Sequence, residues 1–432
     1  MLFKNIGIVD ENFDYVKSMF VETKDDRIVY VGSVRPENYE GEEYDGTGKV
    51  MIPGFVNAHS HSPMTLLRGY AENLPLQRWL NEKVFPFEDR IKGEDAYYSS
   101  MLAIAEMLRY GTVSFSDMYF FSENVAKAVT DSGIKCNFSR AITSFEDTDI
   151  ENLQSFRESE DIVKRFHNAA DGRLKIDMSL HAEYTNRRTI IEQFAEKVRE
   201  RGLRAHIHLS ETKKEHEECK AKYSLTPTQL FCECGVFDVP TIAAHCVWVE
   251  DGDIELLREK GVTAATCPAS NLKLGSGICD VYKLLKSGVN VAIGTDSVAS
   301  NNNLNMIKEM FLCALLPKGL HNDASVVSER DILKMATVNG YKAQGREDSG
   351  AIKAGYKADL CVLSIESEHM YPQTDMINNL VYAADGADVV LTMADGRVLY
   401  KDGEFTTIDI EKVKSTVNSA AGRIISEVKK NG

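Results

Sequence analysis

Gly54-Phe55-Val56-Asn57-Ala58-His59-Ser60-His61 is the stretch from which the rest of the chain can be read. Its apolar start reads as a strand, and side chains two apart on a strand point to the same face. His59 and His61 can therefore converge on one ion, neutral imidazole being the commonest nitrogen ligand of zinc and iron. A lone His-x-His is equally at home on a polar surface, so its meaning depends on where the other ligand-type residues fall.

Short apolar or β-branched runs recur downstream of it. After Gly54 they begin near Thr112, Lys135, Leu174, Leu203, Thr241, Val262 and Val289. Helix-like stretches lie between them, such as residues 95–110, 189–201 and 253–260. Eight strand signals alternating with helices predict an α/β fold of the (β/α)8 TIM-barrel kind. An open doubly wound sheet would need a Gly-rich phosphate loop after its first strand, and none is there.

The chain has only ten histidines, and several fall at strand ends. His208 closes the fifth strand signal, His245 the sixth, and Asp296 the eighth. Chemistry in such barrels gathers at the C-terminal strand ends, and packing alone does not explain so many ligand-type residues there. His206 and His208 form a second His-x-His. His208 is nearer the strand's end and is read as the ligand, His206 as a hydrogen-bonded core residue beneath it. Glu211, three residues on, can shuttle a proton between water and a ring nitrogen. Its plainer reading is a charge at the N-terminus of the next helix. Asp296 can touch a metal and take a proton from its water, whose pKa a metal lowers from about 15.7 to about 7. The fourth strand signal ends at His181 with no lysine at its tip, Lys175 lying at its beginning. One metal per chain is therefore expected rather than two. His181 either faces substrate or caps a helix.

The two ends of the chain have a different texture. Residues 18–22, 27–31, 359–363, 389–393 and 397–400 read as short strands, with turns at 46–48 and Ala394-Asp395-Gly396. The ends are expected to pair into a small β-sandwich domain, residues 1–52 with 351–432, beside a barrel of residues 53–350.

With 432 residues, 43% hydrophobic and 27% charged, the composition is that of a globular chain with a large core. A net charge of −15 without a Lys/Arg run argues against a nucleic-acid partner. No window approaches 18 apolar residues, and the N-terminus has no basic start or apolar core, so neither membrane nor export is expected. Nine cysteines, an odd number without a Cys-x-x-Cys, read as reduced thiols of a cytoplasmic protein.

At these residues the chain resembles the amidohydrolase superfamily, and within it the 5-methylthioadenosine/S-adenosylhomocysteine deaminase family. The most specific stretches are Pro53-Gly-Phe-Val-Asn-Ala-His-Ser-His-Ser-Pro-Met-Thr-Leu-Leu-Arg-Gly69, Cys267-Pro-Ala-Ser-Asn-Leu-Lys-Leu-Gly275 and Gly294-Thr-Asp-Ser-Val-Ala-Ser-Asn-Asn-Asn303. Gly355-Tyr-Lys-Ala-Asp-Leu360 resembles the strand that returns the chain to the small domain. The resemblance implies one divalent ion, zinc or else ferrous iron, on His59, His61, His208 and Asp296. It places His245 beside the metal. In the family's reaction hydroxide attacks the amine-bearing ring carbon of an adenosine derivative. Asp296 then accepts a proton, Glu211 protonates the ring nitrogen, and ammonia leaves an inosine analogue.

Substrate contacts implied in the same way are Trp79, Glu88 at the ribose, Arg140, His181 and Glu211. Trp79 reads equally well as a core anchor on a helix. Relatives that bind the homocysteine carboxylate resemble one another in a second arginine shortly after the Arg140 position, and residues 141–156 hold none. The missing charge-assisted contact, about 1.5–3 kcal/mol, favours methylthioadenosine, 5′-deoxyadenosine or adenosine over S-adenosylhomocysteine. The resemblance also implies a homo-oligomer in which Arg140 can reach a neighbouring site. Other readings are a guanine, pterin or triazine hydrolase on the same metal residues, a non-catalytic barrel, or a two-metal cyclic-imide hydrolase.

Overall fold

The computed structural model describes residues 1–37, 39–70, 72–74 and 76–431, without the side chains of residues 76, 77 and 431. The protein is mixed α/β, with parallel sheets at its centre. One has four strands, Phe55–Ser60, Thr112–Met118, Lys135–Ser139 and Leu174–Ile176. The other has six, Ala141–Ile142, Met178–Leu180, Ala205–Leu209, Thr241–His245, Thr263–Thr266 and Asn290–Ile293. Every neighbouring pair in them is parallel. All their residues but Ala141, Lys175 and Asn290 are buried, on both faces, as parallel strands covered by helices must be.

The third and fourth strand signals are each split in two, by Arg140 and by Asp177. The chain thus runs directly from one parallel sheet into the other at two places. On the opposite flank the Asp296 N–H donates to the His59 carbonyl at 2.9 Å, and the Thr295 N–H to Asn57 Oδ1 at 2.9 Å. Helices Gly93–Arg109, Arg188–Arg201 and Asp251–Glu259 lie where the 3.6-residue period placed them.

The chain ends meet in one nine-stranded sheet. Lys49–Pro53 pairs antiparallel with Leu360–Ser364, and Phe3, Ile6, Val21, Met51, Val362 and Leu391 pack over it. Lys135, at the start of a parallel strand, ties the sheets together. Its buried Nζ lies 2.6 Å from Asp359 and 2.7 Å from Asp395. Several elements went unread in the sequence. Strand Leu2–Val9 is broken by the adjacent Lys4 and Asn5, strand Lys49–Pro53 is apolar at successive positions, so neither shows alternation, and helix Ile410–Asn431 follows a β-rich stretch. That helix packs on Gly93–Arg109, with Arg423 paired to Asp95. Among the described residues no helix is long and apolar enough to cross a membrane.

Candidate active site

At the C-terminal ends of the parallel strands, four histidines and two acids face one another. His59 and His61 stand on or just past Phe55–Ser60, with ring centroids 4.8 Å apart. His208 lies on Ala205–Leu209, and its Nε2 is 3.5 Å from His61 Nε2. Asp296 Oδ1 is 3.3 Å from His61 Nε2 and 3.8 Å from His59 Nε2. His245 ends its strand with Nε2 3.9 Å from Glu211 Oε2.

The distal ring nitrogens explain why the proximal ones point inward. His61 Nδ1–H donates to the Met118 carbonyl at 2.5 Å, and His208 Nδ1–H to the His181 carbonyl at 2.8 Å. His59 Nδ1 is 2.9 Å from His206 Nε2. Each imidazole is thereby fixed in orientation with Nε2 left for the centre, the arrangement that metal-binding histidines need. His59 Nε2 is fully buried and has no hydrogen-bond partner among the described residues. An orphaned buried nitrogen beside two more imidazoles and a carboxylate suits a divalent ion of the zinc or iron type. Histidines 59, 208 and 245, and histidines 59 and 61 with Asp296, each bring ligand atoms within 4.8 Å of one another.

The backbone contributes strain. His245 has φ +74° and Asp296 φ +59°, left-handed values that cost a non-glycine residue about 1–3 kcal/mol and persist where surroundings hold them. Asp296 lies three residues past its strand, which ends at Ile293. Gly294 lets the chain pass close to the first histidine, since a Cβ there would stand 2.8 Å from His59 N. Ser270 and Ser300 hydroxyls donate to Asp296 Oδ2 at 2.5 and 2.9 Å, and the Ser297 N–H to Oδ1 at 2.7 Å. Burial works against a charge on Asp296, yet His61 and these donors hold its carboxyl well below the usual range. Burial pushes the Glu211 carboxyl up, despite His245 beside it. Glu211 does not cap the next helix: Thr212 and Glu215 form that capping box.

A cavity of about 860 Å³ opens above these residues. Trp79, Glu88, Arg140, His181, His208, Glu211, His245 and Asp296 all line it. Trp79 is also largely buried, so the two readings of it are not exclusive. His181 faces the cavity, and burial lowers its pKa to about 4, leaving a neutral ring. Glu88 accepts a hydrogen bond from Tyr119, and burial raises its carboxyl to about 7. Arg140 lines the wall, but its Nε donates to Glu158 at 2.8 Å and its Nη1 to the Ala141 carbonyl at 2.7 Å. Lys175 is far from the centre in its bonding, donating to the Gly345 carbonyl.

Sequence reading missed Glu158, Asn271 and the aromatic wall of Tyr119, Phe120, Phe121 and Phe145. Asn271 Oδ1 accepts His245 Nδ1–H at 2.9 Å. It lies inside the Cys267–Gly275 stretch that carries the family resemblance, but nothing local gives it a role.

Residues 50–399 match the amidohydrolase family. A 5-methylthioadenosine/S-adenosylhomocysteine deaminase of Dictyoglomus thermophilum is 44% identical over 393 residues, 90% of this chain and 92% of the relative. A 5′-deoxyadenosine deaminase of Methanothermobacter thermautotrophicus is 39% identical over 401 residues, 93% of each chain. Among solved structures, an adenosine deaminase of Xanthomonas campestris with bound zinc superposes with TM-score 0.92 at 29% identity, over 98% of both chains. The chain belongs to the amidohydrolase family, among relatives named 5-methylthioadenosine/S-adenosylhomocysteine deaminase.

Proposed function

We propose that this protein is a metal-dependent hydrolytic deaminase of adenosine derivatives. The observation that carries the proposal is the convergence of three imidazole Nε2 atoms and Asp296 Oδ1 beside Glu211 and His245, at the floor of a nucleoside-sized cavity. Pockets for small ligands span about 300–1,000 Å³.

His59, His61, His208 and Asp296 would hold one divalent ion, zinc before ferrous iron. When bound, such an ion would supply hydroxide at neutral pH by lowering the pKa of water to about 7. Asp296 takes the proton that the attacking water gives up. Glu211, whose carboxyl burial pushes up, donates a proton to the ring nitrogen adjacent to the attacked carbon. His245, its Nδ1 held by Asn271 Oδ1, turns Nε2 toward the centre, where it orients the attacking oxygen. Asp296 hands the proton it took to the amine, ammonia leaves, and the proton remaining on the added oxygen returns to Glu211. Trp79 covers the purine, Glu88 takes ribose hydroxyls, and His181 contributes a neutral polar edge.

The 5′ end of such a substrate would meet Arg140 and the Phe120, Phe121 and Phe145 side chains. With Arg140 already paired to Glu158, methylthioadenosine, 5′-deoxyadenosine and adenosine are the preferred substrates over S-adenosylhomocysteine. The two parallel sheets form one closed eight-stranded barrel, a reading supported by the Asp296–His59 backbone bond. Residues 1–52 and 351–432 form a small β-sandwich domain beside it. Cytoplasmic location and homo-oligomeric assembly complete the proposal.

The test is ammonia release by metal-loaded protein from these nucleosides, adenine and guanine. Release from nucleosides that falls about 10²–10⁴-fold in Glu211→Gln, with metal retained, is the expected result. Release from guanine alone would transfer the protein to the free-base reading, and release from none would leave it without an activity.

A further inference from the structure

A second pair of carboxyl groups lies directly behind Glu211, and the proposed reaction does not use it. Glu183 stands in the turn Glu183–Thr185, just after strand Met178–Leu180, and is 2% exposed. Glu215 stands in the first turn of helix Lys213–Tyr223 and is 5% exposed. The two carboxyl groups are near enough for the charge of Glu215 to raise the carboxyl of Glu183.

Their remaining contacts are unequal. Glu215 Oε2 accepts the Glu211 N–H at 2.9 Å and the Thr212 N–H at 3.2 Å. This carboxyl therefore grips the backbone of the residue that carries the proton in the reaction. Glu215 Oε1 and Glu183 Oε2 are both fully buried and, among the described residues, receive no donor. Two carboxylates in contact without water repel strongly, and two orphaned acceptors cannot satisfy each other. A single proton between them removes both faults at once. Burial and the neighbouring Glu215 push Glu183 well above the usual carboxyl range, and burial and Glu211 raise Glu215 as well.

We propose that Glu183 and Glu215 share one proton and act as a positioning pair that holds Glu211 toward the cavity. The proposal rests on the reading of Glu211 as the proton donor. With the proton in place, Glu215 keeps both backbone N–H groups and the loop at Glu211 stays fixed. When it is lost at alkaline pH, the paired charges separate and the grip on the Glu211 N–H loosens. The other titratable groups facing the pair are Tyr184 on the same turn, Cys219 on the helix, Glu211 itself, and His245 and Cys246 on the adjoining strand end. A gain or loss of negative charge at the pair is thus felt mainly by Glu211 and Tyr184, both of which line the cavity.

The variants Glu183→Met, Glu183→Gln and Glu211→Gln separate the possibilities. Each is assayed as metal-loaded full-length protein on methylthioadenosine, with kcat and KM measured from neutral to alkaline pH, and with metal content and thermal unfolding recorded. Met fills the volume but leaves Glu215 Oε1 without a donor, and Gln supplies an N–H that cannot titrate. A displacement of catalytic groups by about 1 Å costs about 100-fold. The expected result is a kcat loss of that order in Glu183→Met at unchanged KM. In Glu183→Gln most of that loss is restored and the alkaline fall in kcat is absent. A wild-type kcat in Glu183→Met, or equal impairment in Met and Gln, overturns the pair. If Glu183→Met does not fold, an alkaline fall in Glu183→Gln matching wild type overturns it alone. Full activity in Glu211→Gln refutes the reading of Glu211 instead, so the two failures are distinct.

Discussion

His59 Nδ1 lies 2.9 Å from His206 Nε2, so the buried histidine beneath the site orients the one whose free nitrogen faces its centre. Burial holds His206 neutral, its pKa lowered to about 3, so it offers one donor and one acceptor nitrogen. His206→Ala is expected to weaken metal binding about 10–100-fold while leaving the four proposed ligands in place. Competition with a chelator measures it, and wild-type affinity would deny His206 this role.

Arg140 and Glu158 form an ion pair at the wall of the cavity, and among the described lining residues Arg140 is the single Lys or Arg. Glu158→Gln frees its guanidinium for a carboxylate on the ligand. A charge-assisted contact is worth about 1.5–3 kcal/mol, reduced here by solvent. The ratio of kcat/KM for S-adenosylhomocysteine over methylthioadenosine should rise about three- to tenfold. An unchanged ratio would place the 5′ substituent away from Arg140.

Glu88 carries a pH dependence of stability. Burial raises its folded pKa from 4.5 to about 7, so the folded state binds more protons than the unfolded one between those values. Its contribution is complete below about pH 4.5 and is lost as pH rises through about 7. Glu88→Gln keeps an acceptor for the Tyr119 hydroxyl and has no proton to lose. Unfolding temperatures measured across this window should show wild type declining relative to Glu88→Gln, and parallel curves would contradict the shift.

Gly294 is a packing requirement rather than a turn. A Cβ there would meet His59 N at 2.8 Å, His59 Cβ at 2.9 Å and His59 O at 3.0 Å. Overpacking of this kind costs about 1–3 kcal/mol. Gly294→Ala should lower the unfolding temperature and, by moving His59, lower metal content as well. Thermal unfolding with metal analysis checks both, and unchanged metal content would mean that the strand gives way instead.

Much of this molecule was legible from the chain alone. The period-2 pattern at His59 and His61, and the eight apolar runs between helical stretches, follow from local geometry, and the strands begin within about two residues of where those runs begin. The histidines and Asp296 at strand ends were readable because a parallel α/β fold brings those ends to one side. Glu211 was readable only as a choice between two possibilities, of which the Thr212–Glu215 capping box removes the helix cap by taking the helix N-terminus for itself.

What tertiary structure alone decided involves partners far apart in sequence. Nothing near Glu183 foretells Glu215, 32 residues on, and nothing near Arg140 says that Glu158 from the following helix neutralises it. Nor does the chain announce that Lys135 is buried between Asp359 and Asp395, or that helix Ile410–Asn431 returns to pack on Gly93–Arg109. Local sequence sets dihedral preference and the face a side chain takes. Burial, and with it the cost of an unpaired charge or an orphaned oxygen, arises only when distant segments exclude water together.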